Sequence, residues 1–373
     1  MNPLIKWPGG KSGEIDKFEA YIPEYKRYIE PFFGGGALFF HLNPANAVIN
    51  DISTALMGYY SLIKAQDKQL YDLLVCYSDS FSGLLAICEE QYSDILALYQ
   101  QLAAQQVDKP AFIAKLAALT AQLVKKLPAE FESKLLLSRS EFLQQLNRMA
   151  LDKMQRTLVN HNKRAFSDED LKSNLVTGFM SGYYMYFRKV YNDITLKRIA
   201  PPSPQYRAAN FYFIREYCYG SMFRYNASGE FNIPYGGMSY NGKNLRSKID
   251  AMFTQNVASI FRNTEICCSD FEAFLTKAAL TDQDFIFLDP PYDTDFSDYE
   301  GRDFTRKDQE RLAHVLANTP AKFILIIKST EFICNLYGDR FRILSFDNQY
   351  TYNVRSRNDR SAEHLIITNL PVS

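Results

Sequence analysis

The segment Asp284–Tyr292, with the sequence DFIFLDPPY, carries the strongest structural signal in the chain. Its first five residues form a short run of the kind that makes a buried strand in a parallel sheet. The next four residues are an acid, two prolines and a tyrosine. They follow the strand at its carboxyl end, where open α/β sheets carry their ligand-binding sites. Because prolines stiffen the backbone, this loop can aim one carboxylate and one carbonyl at an amine, beside a ring that stacks on a planar group. A plain strand-ending turn leaves this combination unexplained.

Further strands are predicted on both sides of this segment. Lys322–Ile327 is a second apolar run, and a helical stretch at Gln309–Leu316 lies between the two. Toward the N-terminus, Tyr28–Glu30 and Ala47–Asp51 are strand-like and are separated by a glycine-rich loop. A last strand is predicted at His364–Ile367. This order favours an α/β sheet that is interrupted by an inserted region.

The inserted region has two parts of different composition. From Leu62 to about Arg164, apolar residues recur three and four positions apart, which predicts a helical insertion. Residues 176–245 are rich in Tyr, Phe, Arg, Asn and Gly, which suggests a binding surface more than a closed core. We therefore expect a discontinuous core domain, a helical insertion and a binding region, with boundaries at 1–61 and 246–373, at 62–175 and at 176–245.

The composition of the whole chain excludes several classes of protein. Lysine and arginine total 42 and acidic residues total 42, so any nucleic-acid surface must be a local patch. The cysteines show no CxxC pairing and the histidines show no metal-ligand spacing, so we predict reduced thiols and no bound metal. No apolar run approaches membrane-spanning length, and the N-terminus lacks a signal-peptide stretch. We expect a soluble, cytoplasmic protein with no membrane partner.

Three N-terminal features fit either a ligand site or a purely structural role. The loop Phe32–Gly36 would let the backbone approach a ligand closely, and it also fits a tight strand-to-helix turn. Asp51 follows the next strand, where it can accept hydrogen bonds from ribose hydroxyls or cap a helix. Lys6–Lys11 places the only tryptophan between two lysines, which gives either a cationic stacking loop or a solvated terminus with one buried aromatic.

Together, six ordered motifs resemble the Dam-like family of DNA adenine methyltransferases. Their order matches the α arrangement, in which cofactor motifs precede the recognition region and the catalytic motif follows it. The matching pieces are KWPGGK from Lys6, EPFFGGGA from Glu30, NDIS from Asn50, FRYNASGEFNIPYG from Phe223, DPPY from Asp289 and FTRKDQERLA from Phe304. The resemblance implies a Rossmann-like methyltransferase sheet that uses S-adenosylmethionine, with an inserted helical region and a target-recognition region at 176–245.

The resemblance also implies a set of cofactor-binding residues. Trp7 and Lys11 would help to hold S-adenosyl-L-methionine, the loop at 30–36 would wrap its methionine part, and Asp51 would take the ribose. Residues 270–271 stand where the family contacts the adenine ring of the cofactor. The complete set is Trp7, Lys11, Glu30, Pro31, Phe32, Gly34, Gly36, Asp51, Asp270, Phe271 and Asp289.

Asp289, Pro290 and Tyr292 are the catalytic residues that the resemblance implies. The exocyclic amine of adenine is conjugated with the ring and is a poor nucleophile. The carboxylate of Asp289 and the carbonyl of Pro290 would accept its two N–H bonds, so that electron density builds on nitrogen during the attack on the methyl group. Because this nitrogen is inaccessible inside a duplex, the base must be flipped out, and Tyr292 would stack on it. The reaction requires neither a metal nor a covalent intermediate.

Double-stranded DNA is the expected partner, and the DNA-binding residues are Lys6, Tyr219, Met222, Arg224, Asn226 and Pro234. In relatives that methylate GATC, a lysine and an arginine at the places of Lys6 and Arg224 contact guanines. Residues at the places of Tyr219 and Met222 press on the base stack, which eases flipping. GATC is therefore the leading site, although Gly220 and Gly237 depart from the family pattern.

Two other activities and one non-enzymatic role compete with this hypothesis. Amino methylation of cytosine would use the same acceptors, whereas glutamine methylation in a protein usually goes with Asn in place of Asp289. A catalytically silent DNA-binding or assembly module would make the insertion the working part, and the intact DPPY and KWPGGK motifs disfavour it. A monomer or homodimer is expected, and a cognate restriction endonuclease is a compatible partner.

Overall fold

A computed structural model of the chain describes residues 1–222, 224–291, 298–299, 302–349 and 361–370. The chain divides into two compact units. Unit 1 comprises residues 1–65, 223–225 and 254–373, and unit 2 comprises residues 66–222 and 226–253.

Unit 1 is built on a seven-stranded sheet. The strands described are β1 (Arg27–Glu30), β2 (Ala47–Asn50), β3 (Thr264–Cys267), β4 (Asp284–Leu288), β5 (Asp298–Tyr299), β6 (Arg302–Asp303), β7 (Lys322–Lys328), β8 (Arg342–Gln349) and β9 (Ser361–Thr368). The order in the large sheet is β3-β2-β1-β4-β7-β9-β8, while β5 and β6 pair separately. Strands β3 to β7 of this order run parallel, and β9 is antiparallel to both of its neighbours. The predicted α/β fold class is confirmed.

The helices of the described residues are divided between the two units. Those in unit 1 are α1 (Ile15–Phe18), α2 (Ala37–Leu42), α3 (Thr54–Lys64), α13 (Gln255–Phe261), α14 (Phe271–Lys277), α15 (Arg306–Ala317) and α16 (Glu331–Tyr337). Those in unit 2 are α4 (Lys68–Glu90), α5 (Tyr92–Ala103), α6 (Lys109–Lys125), α7 (Ala129–Leu135), α8 (Arg139–Lys163), α9 (Asp168–Thr195), α10 (Pro204–Tyr217), α11 (Met238–Asn241) and α12 (Arg246–Met252).

The topology of the sheet fixes where a ligand can bind. Strand β1 pairs with β2 on one side and with β4 on the other, so Tyr28 lies between Ala47 and Phe285. The chain leaves β1 in one direction and returns to the other side of it at β4, which makes this position a topological switch point. The loops that follow β1 and β4 at their carboxyl ends therefore border a crevice, and these are the loops that carry the glycines and Asp289.

The centre of the sheet is packed as the apolar runs predict. All five residues of β4 are buried, and Ile29, Ile286 and Leu325 belong to one hydrophobic cluster with no exposed surface. Burying one such side chain stabilises the fold by roughly 1.5–3 kcal/mol. The predicted strands are confirmed to within a few residues, whereas the edge strands β3 and β8 are not evident from the sequence pattern, because edge positions carry mixed polar and apolar residues.

Unit 2 is a helical unit whose interior is rich in aromatic rings. Tyr183, Phe187, Phe213 and Tyr217 are completely buried. The interpretation of residues 176–245 as a surface more than a core is therefore wrong for the part that forms α9 and α10, where the aromatic side chains pack inward. The sequence could not separate the two because a buried helix and an aromatic binding surface have similar compositions. The functional assignments of the helical insertion and of the recognition region stay predictions.

Helices α8 and α9 approach each other closely at two glycines of α9. A Cβ atom on Gly178 would lie 2.9 Å from the Cα atom of Ala150, and one on Gly182 would lie 2.6 Å from the Cα atom of Leu146. Any side chain at these positions would push the helices apart. The spacing of four residues puts both glycines on the same face of α9.

One helix among the described residues, α4, is long and apolar enough to cross a membrane by length and composition alone. The expectation that no apolar run approaches membrane-spanning length is therefore wrong for this helix by the criterion of length and composition. Half of its most apolar window is buried inside unit 2, and core helices of ordinary proteins pass the same test, so this is weak evidence for a membrane span.

Candidate active site

A cavity of about 300 Å³ lies at the carboxyl ends of the central strands of unit 1. This size is at the lower end of the range for small-molecule sites, roughly 300–1,000 Å³. Several separate parts of unit 1 line the cavity. They are residues 7–11, the loop after β1, residues 51–53, residues 269–271, the loop after β4, and Phe304 and Asp308 near the start of α15. Every residue predicted to bind the cofactor lines this cavity, as does Pro290. Tyr292 lies outside the described residues.

The glycine loop after β1 adopts backbone conformations that other residues rarely reach. Gly34 has φ of +49° and Gly36 has φ of +67°. A Cβ atom on Gly34 would come within 2.7 Å of the Trp7 indole, and one on Gly36 within 2.4 Å of the Phe33 ring. The tryptophan therefore lies against the loop, and only glycine fits at these two positions.

Asn50 connects three of the loops that surround the cavity through side-chain hydrogen bonds. Its side-chain amide donates to the carbonyls of Pro31 and Ser269, at 3.1 and 3.0 Å, and its Oδ1 accepts the backbone N–H of Ser269 at 2.9 Å. The residue itself is buried. Sequence reasoning missed this role, since NDIS pointed only to the aspartate that follows, and Ser269 is distant in the sequence.

Asp51 is held by the backbone around it. Its two carboxylate oxygens accept the N–H groups of Gly34 and Ser53, both at 2.9 Å. Burial raises the pKa of Asp51, and these two backbone hydrogen bonds oppose that shift. Ser53, and not Asp51, caps α3 by accepting the N–H of Leu56. The alternative in which Asp51 is a helix cap is therefore wrong, and its proposed contact with ribose stays a prediction.

Asp289 forms an ion pair with a buried lysine. The Nζ atom of Lys11 lies 3.0 Å from Oδ1 of Asp289 and donates to the carbonyl of Gly9 at 3.2 Å. The side chain of Lys11 is 3% exposed and that of Asp289 is 19% exposed. Burial raises the pKa of Asp289, and the cation of Lys11 lowers it. The carboxylate thus lies at the cavity wall with one oxygen already fixed.

Glu30 adds a second, deeper carboxyl group to the cavity. It is almost fully buried and accepts the Tyr28 hydroxyl hydrogen at 2.8 Å. Burial raises the pKa of Glu30 well above its ordinary value, the Tyr28 hydrogen bond lowers it, and the nearby charge of Asp289 raises it further. Three acidic side chains and one lysine line this part of the cavity. A positively charged ligand beside these carboxyl groups would favour their ionised forms and so oppose the effect of burial.

Part of the cavity wall is aromatic. Phe32, Phe271 and Phe304 form a cluster with ring centroids 5.4 to 5.7 Å apart. Asp270 caps α14 by accepting the N–H groups of Glu272 and Ala273. It also pairs with Arg311 at 2.7 Å, which uses part of its capacity to bind a ligand. This wall can take a planar ring.

The predicted DNA-binding residues are distributed over both units. In unit 2, Tyr219 and Met222 are exposed at 55% and 38%, and the N–H of Tyr219 donates to the carbonyl of Pro234 at 2.9 Å. Asn226 is turned into its own loop, since its Oδ1 accepts the N–H groups of Ser228 and Glu230. In unit 1, Lys6 is half-buried and Arg224 is exposed. The structure thus brings Tyr219 and Pro234 together in one hairpin.

No group of three or more His, Cys, Asp or Glu side chains that could hold a metal ion lies in the described part of the chain. The candidate site is therefore a cavity with fixed carboxylates, a close glycine loop and an aromatic wall. Such a site can bind a cationic ligand with a planar ring and present hydrogen-bond acceptors to a second molecule.

Known proteins resemble the chain over nearly its whole length. The model of the D12 class N6 adenine-specific DNA methyltransferase family matches residues 7–352. The type II methyltransferase M.CviBI of Paramecium bursaria Chlorella virus NC1A is 23% identical, with 99% of this chain and 100% of the relative covered. The DNA N-6-adenine-methyltransferase of Escherichia phage P1 is 24% identical, with 91% and 32% covered. A DNA adenine methylase of Vibrio cholerae serotype O1 is 20% identical, with 85% and 76% covered.

Proposed function

The chain belongs to the D12 class N6 adenine-specific DNA methyltransferases, and we propose that it transfers the methyl group of S-adenosyl-L-methionine to adenine within GATC in double-stranded DNA. The family favours adenine over the cytosine, glutamine and non-enzymatic alternatives. The observation that supports the proposal best is the fixed Lys11–Asp289 pair, which shares one cavity with the glycine loop.

The cavity has the features that this cofactor needs. Gly34 and Gly36 leave space that a Cβ atom would fill, so a ligand can contact the backbone directly. Glu30 and Asp289 face a cationic group, while Phe32 and Phe271 offer faces to an adenine ring. When bound, S-adenosylmethionine supplies a methyl group on a positively charged sulfur. Trp7, Lys11, Pro31, Asp51 and Asp270 complete the proposed set.

Asp289 and Pro290 activate the adenine amine in this proposal. Oδ1 of Asp289 already accepts a hydrogen bond from Lys11, which leaves Oδ2 for one N–H of the amine. The carbonyl of Pro290, a buried residue of the same loop, accepts the other N–H. Both acceptors gain strength as positive charge develops on the nitrogen, so they stabilise the transition state more than the ground state. Tyr292 stacks on the flipped base.

Sequence recognition is assigned to Lys6 and Arg224, with Tyr219 and Met222 against the base stack. The exposure of the two apolar side chains supports this role, since large apolar groups at a surface commonly mark a binding site. Pro234 and Asn226 contribute by shaping the hairpin and its turn. An arginine that pairs with guanine contributes roughly 1–3 kcal/mol of discrimination.

The proposal also covers the setting of the enzyme. Three of the relatives are named type II methyltransferases, and the proposal includes a cognate restriction endonuclease as a partner. A cytoplasmic location and a monomeric or homodimeric state belong to the same proposal.

The test is expression in a host that lacks DNA methylation, followed by sequencing that maps modified bases. We expect N6-methyladenine at GATC from the wild type and none from Asp289→Ala, which should stay folded at the assay temperature although its melting temperature falls, because the buried Lys11 loses its ion-pair partner. Arg224→Ala should relax selectivity at one guanine more than it weakens overall DNA binding. Methylation at other sites would refute the GATC assignment. Wild-type turnover by Asp289→Ala would refute the mechanism.

A further inference from the structure

Gln309 is a buried amide that contacts the loop after β4. It lies in the first turns of α15 with no exposed surface, and its Nε2 donates to the carbonyl of Pro291 at 3.1 Å. Because a carbonyl only accepts, this contact fixes which end of the amide faces the loop. Its Oε1 is buried and lacks a hydrogen-bond partner among the described residues. An unsatisfied buried acceptor is unfavourable, so stability alone gives a poor reason for glutamine here.

The loop itself explains why a donor is needed. Pro290 and Pro291 have no backbone N–H, so at these residues only carbonyl groups can anchor the main chain. In the proposed reaction the carbonyl of Pro290 must stay available for the adenine amine. The next carbonyl, that of Pro291, is the one Gln309 holds. The carbonyl of Pro290 therefore stays available to the adenine amine, while the hydrogen bond to the carbonyl of Pro291 fixes the loop one residue further along the chain.

The helix that carries Gln309 is itself firmly held. Thr305 and Asp308 form a capping box at its N-terminus. Arg311, in the same turn, pairs with Asp270 and Glu272, each at 2.7 Å, and lies 4.8 Å from the centre of the Phe271 ring. The start of α15 therefore bonds both to the loop after β4 and to the residues at the start of α14.

We infer that Gln309 is a positioning residue for methyl transfer, which holds the Asp289-Pro290 acceptor pair in place through the Pro291 carbonyl. This inference rests on the proposed role of that pair. A displacement of the acceptors by about 1 Å lowers the rate of such a step by about 10²-fold. We expect the loss in the chemical step and not in cofactor affinity, because Gln309 does not line the cavity and Asp289 keeps its ion pair with Lys11 when the Gln309 contact is removed.

The experiment compares Gln309→Met, which keeps the length and removes the donor, with Thr368→Val. The control removes the hydrogen bonds of the buried Thr368 Oγ1, which donates to the carbonyl of Phe323 at 2.6 Å and accepts the N–H of Leu370 at 3.2 Å, at the end of the sheet far from Asp289. The full-length proteins are compared in single-turnover methylation of DNA, in S-adenosylmethionine affinity by calorimetry and in melting temperature. Both variants should melt at similarly lowered temperatures.

We expect Gln309→Met to lower the single-turnover rate by about 10²-fold with cofactor affinity within about twofold of wild type, and Thr368→Val to keep the wild-type rate. Gln309→Glu supplies a further test, because the introduced carboxyl donates only when protonated. Its rate relative to wild type should rise as the pH is lowered. Equal rates in Gln309→Met and Thr368→Val, or a pH-independent ratio, would overturn the inference. Absence of adenine methylation by the wild type would instead overturn the proposed function.

Discussion

At the scale of single residues, we predict that the Lys11–Asp289 pair sets the pH range of activity. In the proposed mechanism the ionised carboxylate of Asp289 accepts an N–H hydrogen bond from the amine, so the rate should fall as the pH drops through the pKa of Asp289. Burial raises that pKa and the Lys11 cation lowers it. Lys11→Met leaves burial unopposed, and its acid limb in a pH–rate profile should therefore move to higher pH.

The matched control for this prediction is Lys17→Met, which breaks an exposed surface pair with Asp16. Surface pairs contribute little, typically below about 1 kcal/mol. Its pH–rate profile should coincide with that of the wild type. A profile of Lys11→Met that is displaced downward at every pH without a shift of its acid limb would mean that Lys11 acts through cofactor binding alone.

At the scale of elements, α9 holds residues 231–233, which precede Pro234 in the hairpin closed by the antiparallel bridge between Cys218 and Tyr235, the hairpin proposed to take part in recognition. Tyr184, Arg188 and Asn192 are four residues apart and share one face of the helix. Asn192 exchanges two hydrogen bonds with the backbone of Phe231, at 2.8 and 3.1 Å. Arg188 and Tyr184 donate to the carbonyl of Ile233, at 3.1 and 3.0 Å. Side chains of α9 thus provide the hydrogen-bond partners that a neighbouring strand would otherwise provide to this irregular segment.

Asn192→Leu should therefore loosen sequence selectivity. Loss of two hydrogen bonds corresponds to about tenfold in discrimination between the mapped site and its one-base variants. The measurement is the ratio of methylation rates on matched duplexes. Asn174→Leu is the control, because within the described residues that amide donates to the carbonyl of Asp170 in the same helix and makes no contact with the hairpin. If both variants keep the wild-type ratio, α9 has no part in recognition.

At the scale of the whole molecule, the cavity belongs to unit 1 alone. A ligand that binds the folded state stabilises what it binds, by about 2.7 kcal/mol at a hundredfold excess over its Kd. S-adenosylmethionine should therefore slow amide hydrogen exchange in peptides from β1, β2 and β4, and leave α5, α6 and α8 at their unliganded rates. Hydrogen exchange with mass spectrometry measures both sets together. Equal slowing of both sets would show that the two units open as one.

Much of the fold follows from local pattern. The apolar runs at 284–288 and 322–327 predict central strands because a strand buried on both faces has no polar positions, and both are present. The motifs also identify the residues that line the cavity. Composition was less informative about unit 2, because the aromatic rings of α9 and α10 serve as a core there.

The sequence by itself determined the family, the sheet and the cavity-lining motifs, because each needs particular residue types at short spacing. The tertiary structure alone decided which groups hold those motifs in place. Asn50 forms a hydrogen bond with Ser269, which is 219 residues away in the sequence. Lys11 forms an ion pair with Asp289. Gln309 donates to the backbone carbonyl of Pro291, a group that every residue has. Because nearly every residue has a backbone carbonyl and N–H, the sequence does not indicate which of these groups a distant side chain binds. Such contacts can be identified only in the folded chain.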